Sequence, residues 1–137
     1  MAAFWYNTGV WPISLETSSC RMVMNQDGSI QVQVGETEIG QGADTAFAQM
    51  AAETLGIPFD MVHVMTMQDT DITPFGLGAY ASRQTYMAGF SIRQTAELLK
   101  VMFGYGSGDD AADERKSGYY RWKHCACDRR QCSDVIG

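Results

Sequence analysis

Between residues 29 and 35 the chain alternates. Ile30, Val32 and Val34 are separated by Gln31 and Gln33, the period-two pattern of a strand with one apolar and one polar face. A second run of strand character covers residues 17–24, and Asn25-Gln26-Asp27-Gly28 between the two is a strong turn signal, so a β-hairpin is predicted. The chain then passes Gly40-Gln41-Gly42-Ala43-Asp44-Thr45 and enters AFAQMAAETLG, where Ala, Met, Gln and Glu favour helix. Asp44 is placed to cap that helix, and Gly56 with Pro58 to end it. Residues 61–67 read as a short strand, in which His63 between Val62 and Val64 reads as an ordinary strand residue rather than a ligand. The turn Asp69-Thr70-Asp71 and a second glycine-rich loop, Pro74-Phe75-Gly76-Leu77-Gly78, lead into a long helix from about Ser82 to Val101. In that helix Tyr86, Phe90 and Leu98, with Met87, Ala88 and Leu99, are expected to form the buried stripe. The order β-β-loop-α-β-loop-α predicts an α+β fold: a hairpin, then two loop-helix units with an intervening strand.

The periodicity stops near Met102. Residues 1–101 therefore read as one structural unit, and 102–137, with their Gly/Ser/Asp punctuation and a basic end, as a linker and disordered tail. The tail holds His124, Cys125, Cys127 and Cys132, but the C-x-C spacing fits no standard zinc module.

Composition narrows the function classes. A chain of 137 residues that is 45% hydrophobic fits one modest globular domain. Its net charge of −6 favours neither nucleic acid nor an anionic membrane as partner. No apolar run approaches the roughly 20 residues of a membrane span, and the first residues carry no basic region or cleavage site, so a cytoplasmic location is expected.

Chemistry is concentrated in the two glycine-rich loops. Each leads into a helix start, which offers backbone N–H groups and a partial positive charge of roughly half an elementary unit, and glycine lets a bulky anion approach the backbone. Gln41, between two glycines, adds an amide able to read a heterocycle edge. Ser82 and Arg83 add a hydroxyl and a forked cation suited to phosphate oxygens. Neither loop has the spacing of a P-loop or of the dinucleotide fingerprint, and either could be a plain turn.

The segments Gly35-Glu36-Thr37-Glu38-Ile39-Gly40-Gln41-Gly42-Ala43-Asp44-Thr45 and Gln68-Asp69-Thr70-Asp71, with Pro74-Phe75 and Gly78-Ala79-Tyr80-Ala81-Ser82-Arg83-Gln84, resemble signatures of a known family. It is the molybdopterin-binding large subunit of xanthine dehydrogenases and aldehyde oxidases, most nearly the bacterial xanthine dehydrogenase branch. The resemblance covers roughly residues 2–100. It implies a molybdenum-dependent oxidoreductase that hydroxylates purines or related N-heterocycles and aldehydes, in purine metabolism for the xanthine dehydrogenases. The implied cofactor is molybdopterin carrying molybdenum, in many bacteria as the cytosine dinucleotide. Partners implied are the rest of the molybdenum subunit and the iron–sulfur and FAD subunits or domains. Carried over residue by residue, Gly40, Gln41 and Gly42 line the pterin and its phosphate. Ala81, Ser82 and Arg83 form a second cradle with the Ala81 backbone near the metal. Gln84, where some relatives carry a small hydroxyl residue, is carried over as a further cofactor-binding position.

The catalytic glutamate and the substrate-positioning residues of that family lie in segments that match nothing here, so no catalytic residue and no metal ligand is assigned, and Glu36 and Glu38 receive no role. No cluster-binding cysteine spacing occurs either. This chain alone is expected to be inactive, and Trp5, Tyr6 and Trp11 are expected to face the remainder of a larger subunit. Read one base later, codons allowed from Ser117 onward can spell LDIIDGNIVRATDGSVVMSL, strand-like runs around two turns resembling the family's continuation. A one-base frameshift after about Lys100 is therefore expected. Two alternatives stand beside the fragment of a molybdenum hydroxylase: a small module binding a phosphate-bearing cofactor without catalysis, and the functionless product of a disrupted gene.

Overall fold

The computed structural model describes residues 1–10 and 16–103. The expectations for Trp11, for the cysteine-bearing tail and for the shifted frame lie outside those residues, apart from the first positions after Lys100. Within them a three-stranded sheet packs against two helices: β1 (Cys20–Met24), β2 (Ile30–Val34), α1 (Ala43–Leu55), β3 (Val62–Val64) and α2 (Gly89–Met102). A 3-10 turn at Phe59–Met61 precedes β3, and a π-helical segment at Gln84–Ala88 runs directly into α2.

The sheet order is β1-β2-β3. β1 and β2 pair antiparallel, with Met22 opposite Val32. The turn between them closes as its sequence predicts: Gly28 adopts a left-handed φ of 85°, and the Asp27 carboxylate accepts from the Ser29 N–H at 2.9 Å and hydroxyl at 2.7 Å. β2 and β3 pair parallel, with Val32 opposite Val64. A parallel pair needs a crossover, and α1 supplies it.

β2 is the centre of the core. Ile30, Val32 and Val34 are buried against Phe47, Ala51 and Leu55 of α1 and Ile92 and Ala96 of α2. Burial of each of the larger of these side chains contributes roughly 1.5–3 kcal/mol. The opposite face of β2 is not the solvated one that its glutamines predict. Gln33 is buried, with Nε2 donating to the Met65 sulfur at 3.1 Å, and its Oε1 has no hydrogen-bond partner among the described residues. α2 sits against β1 and the residue pair before it: Ser91 Oγ donates to the Ser18 carbonyl at 3.0 Å, and Thr95 Oγ1, which donates to the Ser91 carbonyl at 2.8 Å, lies 3.4 Å from the Cys20 carbonyl.

The predicted stripe of the long helix is corrected. Tyr86, Phe90 and Leu98 are 70%, 58% and 66% exposed, and the buried line is Ala88, Ile92 and Ala96, with Leu99 packed beside it. Tyr86 and Phe90 each stand two positions from Ala88, about 200° round a helix of 3.6 residues per turn. Seating Ala88 on the core therefore turns both aromatic rings outward. Trp5 and Tyr6 are exposed as well. Among the described residues no helix is long and apolar enough to cross a membrane.

Candidate cofactor-binding surface

The segment from Gly35 to α1 is shaped by one carboxylate. Glu38 Oε1 accepts from the N–H of Gly40 at 2.7 Å and of Gly42 at 2.9 Å, and Oε2 accepts from the N–H of Asp44 at 3.1 Å. The start of α1 is thus capped by Glu38 from outside the helix. Asp44, the expected cap, lies in the first turn instead, with Gly42 at the N-cap position and no side-chain cap bond of its own. The bonds from Asp44 and Gly42 hold the Glu38 carboxyl below its ordinary value, whereas desolvation and the neighbouring Glu38 charge push Asp44 up. Gly40 and Gly42 reach this arrangement through left-handed φ angles of 99° and 80°, and nothing lies within 4 Å of where a Cβ would stand at either. With Gln41 between them they form an exposed, open stretch of backbone.

The second segment is strained. Ala81 and Ser82 are consecutive non-glycine residues at positive φ, 47° and 56°, a conformation that costs of order 1–3 kcal/mol per residue. The Ala81 carbonyl accepts from the Gly9 N–H at 2.7 Å. Beneath it the buried Arg83 guanidinium holds the bend: Nε donates to Glu16 Oε2 at 2.6 Å, Nη1 to the Gly78 carbonyl at 2.7 Å, and Nη2 to the Thr17 carbonyl. Glu36, fully buried, lies 3.5 Å from Nη1. Burial pushes the Glu36 carboxyl above its ordinary value, opposed by the Arg83 charge. Arg83 therefore braces this segment from inside, and its charge is spent on the protein's own oxygens. Ser82 points the other way: it is exposed, its hydroxyl has no partner among the described residues, and it borders a groove of about 880 Å³ between α1 and α2 with Met50, Tyr86, Phe90 and Arg93.

The two segments meet through side chains. Gln41 Nε2 donates to Gln84 Oε1, and Gln84 Nε2 donates to the Thr37 carbonyl at 3.0 Å. Of the sequence-predicted residues, then, Gly40, Gln41 and Gly42 are joined to Gln84, and Ala81 and Ser82 stand beside it in the chain, while the Arg83 side chain is turned inward. The residues that sequence reasoning missed are Glu16, Glu36 and Glu38. Glu38 carried a usable signal, a carboxylate a few residues ahead of a helix start. Glu16 carried none, because its partner Arg83 is 67 positions away.

This pair of loops on a mixed sheet-and-helix scaffold has close counterparts. Residues 1–104 match the molybdopterin cofactor-binding domain, and the chain belongs to that family. It is 55% identical over 100 residues to the putative xanthine dehydrogenase molybdenum-binding subunit of Escherichia coli strain K12, a match covering 73% of this chain and 13% of that protein. Among solved structures it is similar to the Cu,Mo-CO dehydrogenase in its carbon monoxide reduced state, with a TM-score of 0.60 and 34% identity, over 64% of this chain and 11% of the other. It is also similar to quinoline 2-oxidoreductase from Pseudomonas putida 86, with a TM-score of 0.56 and 31% identity, over 63% and 11%. The chain thus spans about an eighth of the length of the relative that it matches.

Proposed function

We propose that the surface formed by Gly40, Gln41, Gly42, Ala81, Ser82 and Gln84 is part of the binding site for a molybdopterin carrying molybdenum, in a hydroxylase acting on purines or related N-heterocycles or aldehydes. The observation that carries this reading is the Gln41–Gln84 hydrogen bond, which brings two loops 43 residues apart onto one surface. Family membership and the molybdenum-binding relatives support the cofactor class.

The residues present fit such a group. A flat heterocycle can lie against the open backbone at Gly40 and Gly42, where no side chain intervenes. The helix-start N–H groups of Gly40, Gly42 and Asp44 already bond the Glu38 carboxylate, so an anion placed there would face a negative charge. The phosphate is better placed at Ser82, whose hydroxyl is free to donate, and the pterin edge at Gln41. Arg83 acts on this cradle from beneath, by holding the strained Ala81–Ser82 bend. When bound, the molybdenum centre supplies the two-electron oxidation, and this chain's residues hold and orient the organic part. We assign no general base among the described residues, and in this reading turnover rests on segments of a larger molybdenum subunit and on iron–sulfur and flavin partners. The cofactor form with a cytosine dinucleotide belongs to the same reading.

Equilibrium dialysis of the chain against purified molybdopterin tests it. Saturable binding is expected, weakened at least about tenfold (about 1.4 kcal/mol) by Ser82→Asp, which sets a negative charge where the phosphate would lie and which the left-handed backbone tolerates. Binding indifferent to that charge would refute the placement, and no binding to the folded chain would refute the proposal.

A further inference from the structure

Gln41 and Gln84 form a directional relay that begins and ends on backbone. The Ile39 N–H donates to Gln41 Oε1 at 2.7 Å. Gln41 Nε2 donates to Gln84 Oε1, and Gln84 Nε2 donates to the Thr37 carbonyl at 3.0 Å. A backbone N–H only donates and a backbone carbonyl only accepts, so the two ends fix the sense of both amides. Reversing the pair would set the Gln41 amino group against the Ile39 N–H and Gln84 Oε1 against the Thr37 carbonyl oxygen. Gln84 is 5% exposed, so at its end of the relay water does not compensate such a reversal.

An amide nitrogen has two protons, and the relay uses one of those on Gln41. The other has no partner among the described residues, on a side chain that is exposed. We propose that Gln84 is the positioning residue of this surface: it holds Gln41 with an N–H rather than a carbonyl turned outward, so the ligand atom met there is a hydrogen-bond acceptor, a carbonyl or oxoanion oxygen or an unprotonated ring nitrogen. This rests on the assignment of Gln41 to the cofactor surface. The relay itself exists without ligand.

The test is made on the full 137-residue chain, isotope-labelled and ligand-free. The two Gln41 side-chain protons are expected to exchange with water at rates about tenfold apart, the factor set by about 1.4 kcal/mol of hydrogen bonding. A through-bond coupling from Gln41 Nε2 to the Gln84 side-chain carbonyl carbon is expected as well. In Gln84→Met, which keeps neither the acceptor for Gln41 nor the donor to Thr37, the two rates are expected to converge. Equal rates and no coupling in the unsubstituted chain overturn the proposal, as does an unchanged difference in Gln84→Met. If that variant does not fold, the coupling in the unsubstituted chain decides. Molybdopterin added to the same sample separates the two claims. A relay with an unresponsive outer proton refutes the surface assignment alone, and a bound cofactor without the coupling refutes the positioning role alone.

Discussion

Glu16 and Arg83, 67 residues apart in sequence, meet at 2.6 Å between Oε2 and Nε beneath the left-handed bend at Ala81 and Ser82. The same guanidinium has Glu36 at 3.5 Å, so two carboxylates share one cation, Glu36 wholly buried and Glu16 partly open to water. Removing the cation leaves Glu36 buried and uncompensated, while Glu16 keeps the Val10 N–H and some contact with water: Arg83→Met is expected to cost about 3–5 kcal/mol. Removing the second carboxylate leaves the Arg83–Glu16 pair intact, so Glu36→Gln is expected to cost less than about 1 kcal/mol or to stabilise. Urea denaturation of the two variants measures the contrast. Equal losses would contradict it.

Opposite pH signatures belong to Glu36 and Glu38. The folded value of Glu36 is raised, so the native state binds its proton more tightly than the unfolded state does. Its contribution is present below the unfolded value of about 4.3 and is lost as pH rises through the raised one. Glu38 is lowered, so its contribution is present above about 4.3 and is lost as pH falls through the depressed value. Denaturation midpoints followed from pH 3 to 7 are expected to fall less steeply with rising pH in Glu36→Gln and to be less acid-sensitive in Glu38→Gln. The second variant also removes a negative charge from the cofactor surface and is expected to bind a phosphate-bearing ligand more tightly.

Gly35 and Gly76 pass each other with no room for a side chain. A Cβ on Gly35 would sit 2.3 Å from the Gly76 nitrogen and 2.4 Å from the Pro74 carbonyl oxygen, both backbone atoms that cannot swing aside. Gly35→Ala is expected to cost at least the roughly 1–3 kcal/mol of an overpacked site. Gly89→Ala meets only the flexible end of Met50, at 2.8 Å, and is expected to cost less. Thermal unfolding of the pair checks the order.

α2 gives a sharper contrast. Ile92→Ala is expected to cost about 2–5 kcal/mol, since Ile92 is wholly buried between the sheet and α1. Phe90→Ser, on the exposed flank, is expected to stay within about 0.5 kcal/mol. A large loss for Phe90→Ser would place that ring in the core and contradict the observed face.

Much of the scaffold was legible because local rules decided it. Alternation in Ile30–Val34 placed β2, Asp27-Gly28 placed the hairpin turn, and Gly56 ended α1 with a left-handed φ of 71°. The face of α2 was not, because apolar residues ring the helix and only the tertiary contact chooses among them. Here it chose small Ala88 and Ala96 over Tyr86 and Phe90. At the candidate site, Gln41 stood out by its flanking glycines, but its link to Gln84 spans 43 residues and left no local trace. Arg83 shows the limit most clearly. A cation at a helix start looks like an anion contact, and its buried position follows from Glu16 and Glu36 arriving from elsewhere in the chain.

The central claim, that these two loops form one cofactor surface, is tested most directly by mapping backbone amide shifts of the labelled chain during titration with molybdopterin, a readout that also detects weak, partial-site binding. Shifts are predicted at Gly40, Gln41, Gly42, Ala81 and Ser82 together, saturating on one curve, with none at the Asp27–Ser29 turn. Shifts confined to one loop, centred elsewhere, or absent at saturating cofactor would contradict it.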